Sequence, residues 1–83
     1  MRIRYFAWLR QRTRCSEEQV DPPASVTTVA ALAEWLGTRH PGLAEALASP
    51  GVVRFAVNQQ AVDGDAPVAP GDEVAFFPPV TGG

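Results

Sequence analysis

Residues 73–83 read Glu-Val-Ala-Phe-Phe-Pro-Pro-Val-Thr-Gly-Gly, and this stretch decides how the rest of the chain is interpreted. Its first half, Glu73–Phe77, is a short apolar run after the turn residues Pro-Gly-Asp, which is typical of a buried strand. Two consecutive prolines end the strand, because proline has no N–H for a ladder and favours an extended chain. We therefore predict a domain over residues 1–77 and an extended tail over residues 78–83 that ends in Gly-Gly.

The tail narrows to two glycines, which have no Cβ and so allow close approach to their backbone. Its six residues reach at most about 20 Å, at about 3.3 Å each. The carboxylate at its end, on Gly83, is an anion at neutral pH and a poor electrophile, so it must be activated before it carries a group. The simplest activation is an acyl-adenylate made from ATP by another protein. A frayed terminus is the alternative, but it does not account for the strand and the prolines that precede the glycines.

Composition indicates one small domain, because the chain has 83 residues and 46% of them are apolar. There is no apolar run near the length of about 18 residues that spans a bilayer, and Met1 leads directly into a strand. We therefore expect a cytoplasmic protein without a membrane segment. A net charge of -2 argues against a nucleic-acid partner. The single cysteine, Cys15, excludes an internal disulfide.

Hydrophobic periodicity predicts the secondary structure of the remaining chain. The predicted elements are a strand over residues 2–9, a second strand over residues 17–21 that forms a hairpin with it, a main helix over residues 28–39 that begins to unwind at Gly37, a short helix over residues 41–47 and a strand over residues 52–58. Ala61 and Val62 are expected to form no more than a β-bridge. This order predicts an α+β fold of the β-grasp, or ubiquitin-like, type, in which a mixed sheet curls around the main helix. The first and last strands pair in parallel at its centre.

Alternation along the predicted strands leaves one face of the sheet open and unusually apolar. The outward residues of this face are Phe6, Trp8, Ala56, Glu73, Ala75 and Phe77. Exposed aromatic patches on small domains usually mark a protein interface. The alternative is that loops cover Phe6 and Phe77 within the monomer.

The other candidates for chemistry are few. His40 is the only histidine, and a lone histidine is more typical of a capping or surface position than of a metal site. Cys15 has no second cysteine or histidine near it in sequence, which favours an incidental thiol. All seven basic residues are arginine, so there is no side-chain amine for a Schiff base. We expect no metal, no cofactor bound by this chain and no self-contained active site.

Residues 70–83 resemble the C-terminus of the small subunits of molybdopterin synthase, a family of sulfur carriers of the β-grasp class. The resemblance extends more loosely to Phe6-Ala7, Arg10, Thr28-Val29 and Val57-Asn58-Gln59. The chain departs from the family pattern at Pro22-Pro23 and in the arginine-dense loop that follows the first strand. These departures affect loop shape and not the chemistry of the tail.

The resemblance implies a route for sulfur. An enzyme similar to the ubiquitin-activating class uses ATP to adenylate Gly83, and a sulfur donor converts the adenylate to a thiocarboxylate. The large subunit then transfers the sulfur to cyclic pyranopterin monophosphate, twice per dithiolene, within a heterotetramer of two small and two large subunits. Val80, Thr81 and Gly82 would thread into the large subunit, which supplies the catalytic side chains. The residues expected to dock are Phe6, Trp8, Arg10, Phe77, Pro78 and Pro79.

Three other functions remain open on the sequence. A sulfur carrier for thiamine or cysteine synthesis shares the fold and the Gly-Gly end, and so does a ubiquitin-like protein modifier. A plain interaction domain would use only the apolar face. Deletion of Gly83 separates the first two from the third, because only the interaction domain is indifferent to its loss.

Overall fold

The computed structural model describes residues 1–49 and 51–79. In chain order the elements are β1 (Arg2–Tyr5), α1 (Leu9–Thr13), β2 (Glu17–Gln19), α2 (Val29–Arg39), α3 (Pro41–Leu47), β3 (Arg54–Val57), β4 (Gln60–Val62) and β5 (Glu73–Phe77). Among these residues, no helix is both long and apolar enough to cross a bilayer.

The five strands form one mixed sheet in the order β2-β1-β5-β3-β4. β5 is its central strand, parallel to β1 on one side and antiparallel to β3 on the other. β2 pairs antiparallel with β1, and β4 pairs antiparallel with β3. This topology, with the long helix in the crossover between the two hairpins, confirms the predicted β-grasp fold.

Helix α2 covers one face of the sheet and supplies much of the core. Its fully buried residues, Val29, Leu32 and Leu36, recur at the spacing of a single helix face. Thr28 caps the helix, because its hydroxyl oxygen accepts a hydrogen bond from the Ala31 N–H at 3.2 Å. The predicted helix over residues 28–39 is confirmed.

The predicted unwinding at Gly37 is wrong. The helix continues to Arg39, and Gly37 instead permits close packing: a Cβ at this position would lie 3.2 Å from the Cβ of Ala44 on α3. Gly42 serves the same purpose on the other side of α3, since its Cβ would lie 2.9 Å from the carbonyl oxygen of Arg12 on α1. The short helix α3 has Pro41 in its first turn and spans Pro41–Leu47, as predicted.

The first strand is shorter than the predicted range of residues 2–9. It ends at Tyr5, and Ala7 then adopts a left-handed conformation, with φ of 56°, that turns the chain into helix α1. The arginine-rich segment, predicted as a loop, is therefore a short helix whose buried residues are Leu9 and Thr13. Leu9, which is 0% exposed, enters the core from this helix rather than from a strand.

The second hairpin also differs in detail. β3 spans Arg54–Val57, within the predicted range. Gln60–Val62, where no more than a single bridge was predicted, forms a three-residue strand that pairs with β3. Asn58 and Gln59 make the tight turn, both with positive φ of 50° and 69°. Asparagine tolerates this conformation better than most residues, which explains its place at the turn.

Candidate functional site

The register of β5 gives its two faces different surroundings. Val74 and Phe76 point toward the helices and are 0% exposed. Glu73, Ala75 and Phe77 point to the opposite face and are partly exposed. The alternation predicted for the last strand is confirmed.

The opposite face is an apolar surface across three strands, here called the open face. Ala75 lies between Arg4 of β1 and Ala56 of β3. Phe6, which is 39% exposed, and Phe77, two residues after Ala75 on β5, line a groove of about 420 Å³ with the two alanines. The strand pairing and this shared groove place Phe6, Ala56, Glu73, Ala75 and Phe77 on one face, as predicted, but Phe77 is half-buried and Ala56 is only 9% exposed.

Charged side chains border the open face. A carboxylate oxygen of Glu73 lies 3.7 Å from the guanidinium of Arg2, and its other oxygen lies 3.9 Å from that of Arg4. The Arg4 guanidinium also lies 5.0 Å from the centre of the Phe6 ring. These pairs are partly exposed and contribute little to stability, but they give the surface an apolar centre with a polar rim.

Trp8 and Arg10 do not lie where a strand over residues 2–9 would place them. Trp8 is half-buried and packs against the core, with the Arg12 guanidinium 5.6 Å from its ring centre. Its predicted position on the open face is wrong, because the strand ends at Tyr5. Arg10 is exposed on α1 and its Nε donates a 3.4 Å hydrogen bond to the Ala7 carbonyl. A docking role for either residue stays a prediction.

The start of β5 is fixed by Asn58 from the neighbouring hairpin. The Asn58 side-chain oxygen accepts a hydrogen bond from the Glu73 N–H at 3.0 Å, and its Nδ2 donates to Asp72 at 3.1 Å. The Asn58 N–H donates to the Glu73 carbonyl at 2.7 Å. These contacts hold the strand in one register at its entry.

The exit of β5 leads directly to the tail. The strand ends at Phe77 and is followed by Pro78 and Pro79, which are half-buried. The residues expected to thread and to react, Val80, Thr81, Gly82 and Gly83, lie outside the described residues. The division into a domain over residues 1–77 and a tail over residues 78–83 stays a prediction.

A polar cluster on the helix side of the sheet was missed by the sequence analysis. Glu18 on β2 accepts a hydrogen bond from the Tyr5 hydroxyl at 2.7 Å and lies 2.7 Å from Nε2 of His40. The guanidinium of Arg39 lies 3.7 Å from its other oxygen. His40 occupies the N-cap position of α3 but its side chain makes no capping hydrogen bond, and its half-buried ring is instead paired with Glu18, so the expected capping or surface role is wrong.

The cluster changes the titration of two of its members. Burial raises the pKa of Tyr5 above its ordinary value, and the hydrogen bond to Glu18 raises it further. Burial also favours the neutral form of Glu18, but hydrogen bonds from Tyr5 and His40 favour its anion and hold its pKa below the ordinary value. Cys15 completes the group, since its Sγ and the Glu18 and His40 ligand atoms lie within 4.8 Å of one another. Cys15, Glu18 and His40 form no recognisable sequence motif, because His40 lies far from the other two in sequence and only the fold brings the three together.

The model of the ThiS family matches residues 3–83. The chain belongs to the ThiS family. This assignment agrees with the β-grasp topology and with the motif over residues 70–83, and it confirms the resemblance to sulfur carriers of this class.

Individual members of the family cover the chain from end to end. The chain is 40% identical over 83 residues to the molybdopterin synthase sulfur carrier subunit of Escherichia coli, and the match covers 100% of this chain and 99% of that protein. It is 36% identical over 84 residues to the human protein of the same name, covering 98% and 91%. A solved structure from Pyrococcus furiosus, described as a putative molybdopterin converting factor subunit 1, superposes with a TM-score of 0.80 at 32% identity and 95% coverage of both chains.

Proposed function

We propose that this ThiS-family chain is the sulfur-carrier subunit of molybdopterin synthase in molybdenum cofactor biosynthesis. The observation that carries the proposal is the match, over nearly the whole length of both chains, to two relatives that bear that name. The fold adds a physical reason, because the last strand is the central strand of the sheet and passes into a Pro-Pro segment before the glycines. The tail carries the sulfur, while the folded domain holds the start of the tail in a fixed position.

The proposed cycle begins at the Gly83 carboxylate. An activating enzyme joins this carboxylate to the AMP part of ATP and releases pyrophosphate. A sulfur donor displaces AMP and leaves a thiocarboxylate on the glycine. In the synthase the sulfur is transferred to cyclic pyranopterin monophosphate, and water supplies the oxygen that restores the Gly83 carboxylate. Holding the sulfur on a tethered tail makes its attack effectively intramolecular.

The open face is the proposed docking surface for the large subunit. Phe6, which is exposed, and Phe77, which is half-buried, line a groove of about 420 Å³, and aromatic residues often dominate binding energy at protein interfaces. Phe77 is the last residue of β5, so docking here places the origin of the tail at the interface. Val80, Thr81 and Gly82 then enter the large subunit, which supplies the acid, base and oxyanion groups.

We also propose docking roles for Pro78, Pro79, Trp8 and Arg10. The two prolines follow the strand directly and stiffen the path of the tail. Arg10 is exposed on α1, whereas Trp8 offers only the part of its ring that is not packed on the core. We place the assembly, a heterotetramer of two small and two large subunits, in the cytoplasm.

The test follows the mass of the intact chain. Incubation with the activating enzyme, ATP and a sulfur source is expected to exchange one oxygen for sulfur, and the gain is expected to disappear when the pterin precursor and large subunit are added. A chain lacking Gly83 should show no gain. The matched control, Gly64→Ala, changes a glycine far from the tail in sequence and should behave as wild type.

Each other outcome identifies a different function. A sulfur gain that persists with the precursor and large subunit points to a carrier for thiamine or cysteine synthesis and contradicts the proposed substrate. Isopeptide-linked conjugates on other proteins point to a modifier. Full activity in the chain lacking Gly83 contradicts every carrier mechanism.

A further inference from the structure

Three side chains of types that can bind metal ions lie close together on the helix side of the sheet, away from the open face and the tail proposed for sulfur transfer. Cys15 precedes β2, Glu18 lies on β2, and His40 lies between α2 and α3. The Sγ, a carboxylate oxygen and a ring nitrogen of these residues lie within 4.8 Å of one another. Glu18 is the register partner of Ile3, whose side chain is in the core, so the cluster lies on the face of the sheet opposite the open face.

The cluster is shielded and held in place. The side chains of Glu18 and His40 are only 16% and 17% exposed. Tyr5 fixes both, because its hydroxyl donates to Glu18 and its ring packs edge-on against the His40 ring at a centroid distance of 5.9 Å. The His40 backbone is fixed by its N–H, which donates to the Leu36 carbonyl at 2.9 Å. Outer hydrogen bonds of this kind orient the ligands of protein metal sites.

We propose that Cys15, Glu18 and His40 form a binding site for one zinc ion. A thiolate, an imidazole and a carboxylate are the three ligand types that zinc uses in proteins, at about 2.3 Å for sulfur and about 2.0–2.2 Å for nitrogen and oxygen. Tetrahedral ligands at those distances are about 3.3–3.7 Å apart. The Glu18–His40 contact of 2.7 Å must therefore open slightly, and the thiol must move inward by at most about 1 Å.

Binding replaces hydrogen bonds with coordination bonds. The ion displaces the thiol proton of Cys15 and any proton between His40 and Glu18, and these protons pass to the buffer. The thiolate and the carboxylate together balance the charge of the ion, while Arg39 keeps its contact with the other carboxylate oxygen. Three protein ligands leave a fourth position for water. The bound ion would join β2 to the α2–α3 junction.

Cobalt(II) is the probe, added to the reduced, tag-free chain in the presence of a phosphine reductant. Cobalt in a tetrahedral site with a thiolate ligand gives a near-ultraviolet charge-transfer band and strong visible bands. Because the chain has one cysteine and one histidine, these signals can be assigned without ambiguity. We expect saturation at one ion per chain, displacement by one equivalent of zinc, and a monomeric one-to-one complex in native mass spectrometry.

Variants separate the site from general metal binding. Cys15→Ser should abolish the charge-transfer band, and His40→Gln should weaken zinc binding at least about tenfold, since even loss of an outer partner costs that much. Glu17→Gln is the matched control, because Glu17 is the neighbouring carboxylate on β2 and pairs instead with Arg2 at 2.8 Å. It should bind as wild type, and circular dichroism of the metal-free variants verifies that each one folds.

Two results would overturn the proposal. One is the absence of a charge-transfer band from the folded wild-type chain with cobalt in stoichiometric excess. The other is a complex in which one ion bridges two chains through Cys15, since the site requires all three ligands from one chain. Either result leaves the proposed sulfur transfer untouched, because the intact-mass test does not involve this cluster.

Discussion

Phe76 and Phe77 are adjacent residues of one strand, and replacing each by alanine is expected to have opposite consequences. Phe76 is 0% exposed, stacks on Tyr5 at a centroid distance of 5.8 Å and meets Phe55 edge-on at 5.5 Å. Phe77 lies on the open face and is only partly buried. The pair therefore separates the contribution of the core from the contribution of the docking surface, with the same substitution at neighbouring positions.

The magnitudes follow from burial. Phe76→Ala leaves a cavity in the core and should reduce the free energy of unfolding by about 3–5 kcal/mol. A domain of this size has a total stability of about 4–12 kcal/mol, so the loss is a large share of it. At about 4–8 °C per kcal/mol, the melting temperature should fall by at least about 12 °C. Phe77→Ala should cost only about 1 kcal/mol in stability, because the Phe77 ring lies on the open face and is only partly buried.

Binding to the large subunit should show the reverse order. If Phe77 is an anchor of the interface, its truncation costs about 2 kcal/mol or more, which is about 30-fold in the dissociation constant. Urea unfolding gives the stability of both variants, and isothermal titration calorimetry with the large subunit gives the affinity, measured well below the melting temperature of Phe76→Ala. Equal losses of stability in the two variants would contradict the register of β5. Wild-type affinity of Phe77→Ala would contradict docking through the open face.

Three further changes test the structure in urea or thermal unfolding. Glu18→Gln should be less stable than wild type at pH 7, because the folded state lowers the pKa of the Glu18 carboxyl and so favours its anion. The difference in stability should shrink as the pH falls below about 4, where the wild-type carboxylate becomes protonated. A constant difference at all pH values would contradict this. Gly42→Ala should lose about 1–3 kcal/mol, because the added Cβ would lie 2.9 Å from the carbonyl oxygen of Arg12, and an unchanged midpoint would refute the close contact. Thr28→Ala should lose about 1 kcal/mol with its helix cap, whereas Thr27→Ala at the exposed neighbouring position should lose much less.

The sequence predicted the elements whose periodicity is long or strongly bounded. Helix α2 has a capping threonine and a complete apolar stripe, and β5 has a turn before it and two prolines after it. Alternation alone then placed Phe76 in the core and Phe77 outside. The open face followed from the same alternation combined with parallel pairing of β1 and β5.

Helix α1 could not be predicted in this way. Residues 2–9 alternate as a strand would, and the five-residue helix has no periodic pattern of its own. What ends the strand is Ala7 in a left-handed conformation, which a sequence without a glycine at that position does not indicate. Trp8 was misplaced for this reason. The Cys15–Glu18–His40 cluster was missed for the same reason, since its geometry depends on where α1 returns the chain to β2.

The position of β5 links the stability of the domain to its proposed function. β5 is hydrogen-bonded to a neighbouring strand on both edges, so it separates only when the sheet itself opens. Such strands belong to the most stable part of a fold. The inward side chains of this strand fill the core, and its outward side chains face the proposed partner, so one element both holds the domain together and orients it. The tail follows directly where the ladder of β5 ends, at Phe77. An edge strand in the same place would leave the N–H and C=O groups along one of its sides unpaired beside the start of the tail, whereas β5 has both sides paired.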